Sequence, residues 1–380
     1  MKKSFADIIG EENARIRQRL IAKVPEWGSC PGLLIPSRIN AEQCSSSPAA
    51  LYKASVAKRS VPGASRIADL SGGLGVDCWA FSSHFAEVLY NDADAALADA
   101  VKANFAAMGI SNVTWRNAEI RPGNVSEVLG GFAPGIIYLD PARRSSSGQK
   151  LFRLEDCSPD LRSLLPELLA LCPRILAKVS PMADISLLRK QLPLLGEVHV
   201  VSVDGECKEL LLLIGEGIPF SVCVATLGRD GSREVMTLPE NELRAACPLA
   251  GEIAVGQYLY EPGAALAKSG GSDAVCARAG LGKLAPSTHL YLSEEPIPSL
   301  AAFGRFRRIA EVLPLDKRTL RDAGARYPDA EVSARNIPMS SEELCKRLGT
   351  KGGGRYHIFG AGVSQSGKES AKMLIITTLP

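Results

Sequence analysis

The sequence predicts an α/β fold: a Rossmann-like, seven-stranded sheet, with a helical N-terminal segment before it and a small α+β C-terminal module after it. Three observations lead there. Short apolar runs from residue 66 to residue 203 alternate with helical stretches, which argues for parallel strands joined by right-handed crossovers. The last two runs, 197–203 and 209–214, are separated only by Asp204-Gly205-Glu206, too short for a crossover, so they should pair as an antiparallel hairpin. Between the first run and the first helix lies Asp69-Leu70-Ser71-Gly72-Gly73-Leu74-Gly75, a loop whose glycines let a ligand approach the carboxyl edge of the sheet.

In chain order, residues 1–62 read as the helical segment, with helices at 5–23, ending before Pro25, and at 49–58. Pro62-Gly63 marks a boundary. Residues 63–217 hold the sheet, with strands expected at 66–70, 87–92, 112–116, 135–139, 174–179 and in the hairpin. Helices are expected near 76–85, 94–108, 123–130, 159–171 and 183–193. Five parallel strands closed by a hairpin is the sheet of class I methyltransferases. In residues 218–302 the rhythm stops: 222–227 and 234–237 suggest a separate β-hairpin, 263–268 a helix, and 270–272 and 285–287 loops. Residues 303–380 form the α+β module, with a helix at 340–348, a loop at Lys351-Gly352-Gly353-Gly354 and a closing strand at 373–377.

A chain of 380 residues has length for two or more domains. Its net charge of +3 is unevenly spread: residues 1–60 hold 10 Lys/Arg against 5 Asp/Glu, residues 303–380 hold 14 against 8, and the remainder 20 against 28. Basic ends around an acidic centre suit a polyanionic partner, or simply a solvated surface. Ten cysteines without a C-x-x-C pair, and four histidines, give no zinc spacing, so no metal is expected. Met1-Lys2-Lys3-Ser4 leads into a charged helix rather than a signal sequence, and no apolar run reaches membrane-spanning length. A cytoplasmic location, with reduced thiols and no membrane partner, is the expectation. Nothing in the pattern speaks to oligomeric state.

The glycine loop differs from the dinucleotide fingerprint G-x-G-x-x-G, whose amides approach a pyrophosphate. Its order is Asp69-x-x-x-Gly73-x-Gly75, and a carboxylate there would repel a pyrophosphate. S-adenosylmethionine carries a sulfonium cation and no phosphate, so Asp69 can receive its positive charge. Asp69, Ser71, Gly73 and Gly75 are therefore the expected cofactor loop, against the plainer reading of a tight turn. Ser71 stands where such loops often have another glycine. Asp92, ending the second strand, can accept ribose hydroxyls, with Asp94 in reserve, or cap the next helix. Asn117 or Glu119, after the third strand, can meet an adenine amine or belong to an ordinary loop.

The fourth strand ends in Asp140-Pro141-Ala142-Arg143-Arg144. A base amine is a poor nucleophile, because its lone pair is delocalised into the ring. A carboxylate and a neighbouring carbonyl can accept its two N–H bonds and aim the nitrogen at a methyl group. Asp140 and the Pro141 carbonyl have those roles in Asp/Asn-Pro-Pro-aromatic methyltransferases, although here no aromatic follows. Arg143 and Arg144 are candidates to stack on a base or hold a phosphate; an Asp-Pro turn is the alternative. Lys178, ending the fifth strand, either lines the substrate cleft or forms a buried ion pair. The hairpin run Glu206-Cys207-Lys208-Glu209 carries the same two readings.

The run Pro36-Ser37-Arg38-Ile39-Asn40-Ala41-Glu42-Gln43-Cys44-Ser45-Ser46, with Tyr52-Lys53, resembles the N-terminal segment of bacterial class I S-adenosylmethionine-dependent methyltransferases that carry a THUMP-like C-terminal domain. Asp69 to Gly75, Asp140 to Arg144, Lys178 to Asp184, Glu206 to Leu211, Tyr258 to Pro262, His289-Leu290-Tyr291 and Arg335-Asn336-Ile337-Pro338 are similar to that family's other blocks. The resemblance covers nearly the whole chain. It implies S-adenosylmethionine as cofactor, a THUMP-like domain at 303–380, and, by analogy with THUMP domains, an RNA substrate such as rRNA or tRNA. Arg335 and Asn336 join the substrate-binding candidates on that basis. The family pattern has an aromatic where Ile337 stands. Two rival readings are a methyltransferase acting on an acidic small molecule or a protein, and a non-catalytic RNA-binding protein that keeps the sheet.

Overall fold

The computed structural model describes residues 5–30, 32–143, 157–158, 160–365 and 368–379. The chain divides into two compact units, Met1–Val235 and Met236–Pro380.

In the first unit, α1 (Phe5–Lys23), α2 (Arg38–Gln43) and α3 (Ser47–Ser60) precede the sheet. The Ser37 hydroxyl accepts the Asn40 N–H and so starts α2, while a proline in the first turn starts α3. The strands are β1 (Arg66–Asp69), β2 (Glu87–Asn91), β3 (Val113–Arg116), β4 (Ile136–Leu139), the two-residue β5 (Ala142–Arg143) and β6 (Cys157–Ser158), β7 (Ile175–Val179), β8 (Leu195–Val203), β9 (Glu206–Ile214), β10 (Ser221–Leu227) and β11 (Arg233–Pro239). Between them run α4 (Val76–Ser82), α5 (Ala95–Ala107), α6 (Val125–Leu129), α7 (Leu161–Leu171) and α8 (Ile185–Gln191). All four residues of β4 are buried, as expected of a central parallel strand covered on both faces.

The sheet runs β11-β10-β8-β9-β7-β4-β1-β2-β3. β3, β2, β1, β4 and β7 are parallel, and β9 lies antiparallel between β7 and β8. The expected hairpin is therefore present. Its turn places Asp204 at φ 50° and Gly205 at φ 80°, the two positive values of a type I′ turn.

The sheet has nine strands rather than the expected seven. The two runs expected to form a separate hairpin, β10 and β11, extend it beyond β8, and β10 pairs with β8 in parallel. The link 215–220 steps over the start of β8 to reach that edge. It can do so because position 196 has no side chain: a Cβ on Gly196 would lie 2.3 Å from Ile218.

The second unit contains β12 (Tyr258–Pro262), α9 (Ala264–Ser269), α10 (Ser272–Arg278), β13 (Gly282–Ala285), β14 (Thr288–Ser293), β15 (Gly304–Pro314), α11 (Lys317–Arg326), β16 (Glu331–Arg335), α12 (Ser341–Leu348), β17 (Tyr356–Gln365) and β18 (Lys368–Thr378). The loop expected at 270–272 is only a junction: Gly270, at φ 75°, ends α9, and Gly271 starts α10. The strand order is β13-β14-β12-β15-β18-β17-β16. Leu320 and Ala323 of α11 and Leu344 and Leu348 of α12 cover one face, against Ile358, Leu374 and Ile376. Among the described residues no helix is long and apolar enough to cross a membrane.

Candidate active site

The sheet's carboxyl edge collects the expected residues of the first unit. Asp69 ends β1 fully buried. Its Oδ1 accepts the Ser71 N–H at 3.1 Å, while its Oδ2 is buried with no hydrogen-bond partner. Burial, reinforced by the nearby Asp77 carboxylate, pushes the Asp69 carboxyl well above the usual carboxylate range; the Ser71 N–H opposes this only in part. The second oxygen of Asp69 is thus one of the few buried polar atoms described in this unit that are left without a hydrogen-bond partner.

The glycine loop lies hard against β2. A Cβ on Gly72 would sit 2.1 Å from the Tyr90 ring, and one on Gly75, which adopts φ 82°, would sit 2.6 Å from Val101. The Tyr90 hydroxyl donates to the Gly73 carbonyl at 2.7 Å, and the Gly73 N–H donates to Asp92 Oδ2 at 2.8 Å. Asp92 thus ties the loop to the end of β2, and each carboxylate oxygen retains a lone pair for a hydroxyl donor. Asp94, the reserve, caps α5 through the Leu97 N–H. The Asn117 amide donates to the Asp92 carbonyl at 2.7 Å, which brings the third strand's loop to the same edge.

Ser71 gains a purpose here. Its Oγ accepts the Asp140 N–H at 2.5 Å, joining the first loop to the Asp140-Pro141 turn across neighbouring strands. A glycine at 71 could not make this bond. Pro141 is buried, and the chain after it continues into β5, whose Ala142 and Arg143 pair with Ser158 and Cys157. Arg144 lies outside the described residues, as does the side chain of Arg143.

Lys178, on β7, forms an ion pair with Asp140 Oδ2. Burial works against the Lys178 ammonium, but the carboxylates of Asp140, Glu209 and Asp77 outweigh it and raise its pKa. Of the two expectations for Lys178, the structure shows the ion pair: the half-buried ammonium grips the candidate catalytic carboxylate.

Behind that pair lies a buried network: the hairpin's expected buried ion pair is present at Glu209, but its partner is Lys53, which the sequence pattern did not single out. Lys53, with no exposed surface, donates to Ser45 Oγ at 2.6 Å, Asp77 Oδ2 at 3.0 Å and Glu209 Oε2 at 3.4 Å. Asp77 also accepts the Tyr138 hydroxyl at 2.8 Å and the Ser45 hydroxyl at 3.0 Å. Burial would raise the Asp77 carboxyl, yet the Lys53 and Lys178 charges, with the Lys53 and Tyr138 hydrogen bonds, hold it below the usual range. The signal was a lone lysine among Ala49, Ala50, Ala54, Val56 and Ala57, all buried, and a lone acid ahead of Leu210 to Leu213.

Elsewhere in this unit, ligand atoms of Glu197, His199 and Cys223 come within 4.8 Å of one another. The spacing argument could not find this group, because it joins β8 to β10. The His199 ring is already engaged on both sides: Nδ1 with the Tyr52 hydroxyl at 2.7 Å and Nε2 with Glu197 at 2.9 Å. It needs no ion to be satisfied.

Arg335 and Asn336 belong to the second unit. Arg335 pairs with Glu261 at 2.8 Å. Asn336 adopts φ 54° and donates to Thr288 Oγ1 at 3.3 Å.

Within the nine strands, the order β3-β2-β1-β4-β7-β9-β8, with the glycine loop and Asp140 meeting at one edge, defines a class I S-adenosylmethionine-dependent methyltransferase. The comparisons with known proteins agree. The chain is 30% identical, with a TM-score of 0.82 over 96% of its length and 88% of the other's, to a Porphyromonas gingivalis W83 protein described as a candidate methyltransferase. Residues 258–300 match a ferredoxin-like domain, and residues 304–378 a THUMP-like domain. The chain belongs to the bacterial family of class I methyltransferases with a THUMP-like C-terminal domain. Two further similarities are partial: a candidate RNA methyltransferase of Pyrococcus horikoshii (18% identity, TM-score 0.31, 45% of this chain and 78% of that one) and the N-terminal domain of EvdMO1 with S-adenosylhomocysteine bound (14%, 0.28, 44% and 65%). No curated protein matches the chain.

Proposed function

We propose that the chain methylates a base amine of RNA. The observation that carries this reading is the Ser71–Asp140 bond, which sets Asp140-Pro141 beside the cofactor loop. S-adenosylmethionine, when bound, supplies an electrophilic methyl group on a sulfonium. The residues fit it: the unpartnered oxygen of Asp69 can take positive charge, Gly73 leaves open space for backbone contact, Asp92 can accept ribose hydroxyls, and the Asn117 loop, tied to the Asp92 carbonyl, can offer an acceptor to an adenine amine. Lys178 occupies one oxygen of Asp140 and so fixes the plane of the carboxylate. The other oxygen and the Pro141 carbonyl are then available to accept the two N–H bonds of an amine. The THUMP-like match supports RNA as the substrate class, by analogy.

The test is labelled methyl transfer to total RNA from cells lacking the protein, followed by nucleoside mass spectrometry. Asp140→Ala should abolish transfer while leaving cofactor affinity nearly intact; full activity in that variant refutes the role of Asp140. The alternative is an acidic small-molecule acceptor, held by Arg143 and Arg144 after the Asp140-Pro141 turn. Methyl transfer to a metabolite and none to RNA would select it.

A further inference from the structure

The sheet of the second unit is a trough rather than a plane. In the order β12-β15-β18-β17-β16, four strand spacings separate β12 from β16, roughly 19 Å in a flat sheet. Yet Arg335 of β16 reaches Glu261 of β12 at 2.8 Å, and Thr288 of β14 donates to the Gly362 carbonyl of β17 at 2.6 Å. The sheet must therefore curl, with these side chains on its concave side. Cross-strand pairs place Glu261 opposite Arg305, Leu259 opposite Arg307, Thr377 opposite His357, and Glu331 opposite His357, all on the face away from α11 and α12. Deep in the trough the face is apolar, with Leu259, Ile309, Phe359 and Ile375. At its mouth it is basic.

Arg307 is the unusual residue there. It is 7% exposed, its Nε is buried without a hydrogen-bond partner, and no ion pair reaches it among the described residues. The nearby acids are committed elsewhere: Glu261 to Arg335, and Glu331 Oε1 to the Gly353 N–H at 2.8 Å. Its charge is offset only at a distance by those two shared carboxylates, and a buried donor left unpaired costs stability, so its retention points to a ligand.

We propose that the mouth of this trough binds a phosphate group of the RNA strand, with Arg307 as the buried anchor and Arg305 and Arg335 beside it. The inference rests on the RNA reading above, but its test separates the two. The Ser333 hydroxyl lies 2.9 Å from His357 Nε2 on the same face. Burial, and then the guanidiniums of Arg307, Arg335 and Arg305, push the His357 pKa down to about 4.

The full chain is titrated with a fluorescein-labelled, mixed-sequence single-stranded RNA over a range of salt. Arg307→Met should weaken binding about tenfold and lower the salt slope by about one. Its melting temperature should stay level or rise, because a buried unpaired charge has gone; a merely structural arginine would lower it. Arg305→Gln, at an exposed position, should show the same trend in binding and decides the matter if Arg307→Met fails to fold. Arg318→Gln, on α11 and exposed, is the off-site control. Unchanged binding in the trough variants, or an equal loss in the control, overturns the proposal. Inorganic phosphate is the second probe. If the wild type binds no RNA but is thermally stabilised by phosphate, and Arg307→Met is not, the phosphate site stands and the RNA reading falls.

Discussion

Replacing Lys53 by methionine keeps an unbranched side chain, one atom shorter, and removes its charge. In the folded chain that charge holds Asp77 and Glu209, with Nζ 2.8 Å from Asp77 Oδ1 and 3.4 Å from Glu209 Oε1. Breaking a buried pair by deleting one partner costs roughly 3–5 kcal/mol. The lower end, about 3 kcal/mol, is expected here, because Asp77 keeps the hydroxyls of Tyr138 and Ser45 and the field of Lys178. The effect also has a pH signature. In the wild type the Asp77 carboxyl lies below its ordinary 3.8, so its stabilisation is complete above that value and is lost as pH falls through the folded-state value. In Lys53→Met the largest lowering influence on Asp77 is gone while burial remains, so its carboxyl should move up, back toward the ordinary 3.8 or beyond. The penalty is then full at neutral pH and shrinks on acidification toward that value. Tryptophan fluorescence in urea reads this directly, since all three tryptophans, Trp27, Trp79 and Trp115, lie in the first unit. A loss below about 1 kcal/mol, or a gap between variant and wild type that does not narrow toward acid pH, refutes the reasoning.

Two further expectations concern protons. Because burial raises the Asp69 carboxyl above the usual range, binding of a sulfonium cofactor should release a proton wherever the cofactor-free carboxyl is still protonated, and affinity should rise with pH through that range. Calorimetry in buffers of different ionisation enthalpy should give different apparent enthalpies for the wild type and equal ones for Asp69→Asn; equal enthalpies in the wild type refute the argument. In the second unit, the His357 pKa of about 4 against an ordinary 6.5 means that the unfolded chain binds more protons between those values. Stability there should fall as pH drops from 6.5 to 4, by at most about 3 kcal/mol and by less for a partly exposed ring. Pulsed hydrogen exchange at several pH values, read in second-unit peptides, should show this slope and its loss in His357→Phe. A slope that survives the substitution assigns it to other groups.

Local chemistry was legible where one segment holds the whole signal. Asp69 to Gly75 sits in one turn and Asp140-Pro141 in another, and period and turn length were enough to place the parallel strands and the hairpin. The two extra strands were not legible, because their pairing depends on Ile218 crossing above Gly196, an event of space and not of pattern. Lys53 escaped for a similar reason. A lysine in a helix normally faces water, and only the assembled sheet brings Asp77 and Glu209 to it. Ser71 read as a departure from a glycine pattern until its bond to the Asp140 N–H showed what a hydroxyl adds. The curl of the second sheet was hidden as well, since Arg335 and Glu261 stand 74 residues apart.

The Lys53–Glu209 contact spans 156 residues of sequence, which sets a timetable for the growing chain. At roughly 5–20 residues per second, a ribosome makes Lys53 about 8–30 seconds before its distal partner. Through that interval Lys53 has Asp77 but not Glu209, and the helix bearing it settles into an incomplete network. The N-terminal helices therefore complete their docking only when the ninth strand emerges. Non-local closure of this kind makes folding slow and late, and it leaves an apolar surface open to chaperones in the meantime.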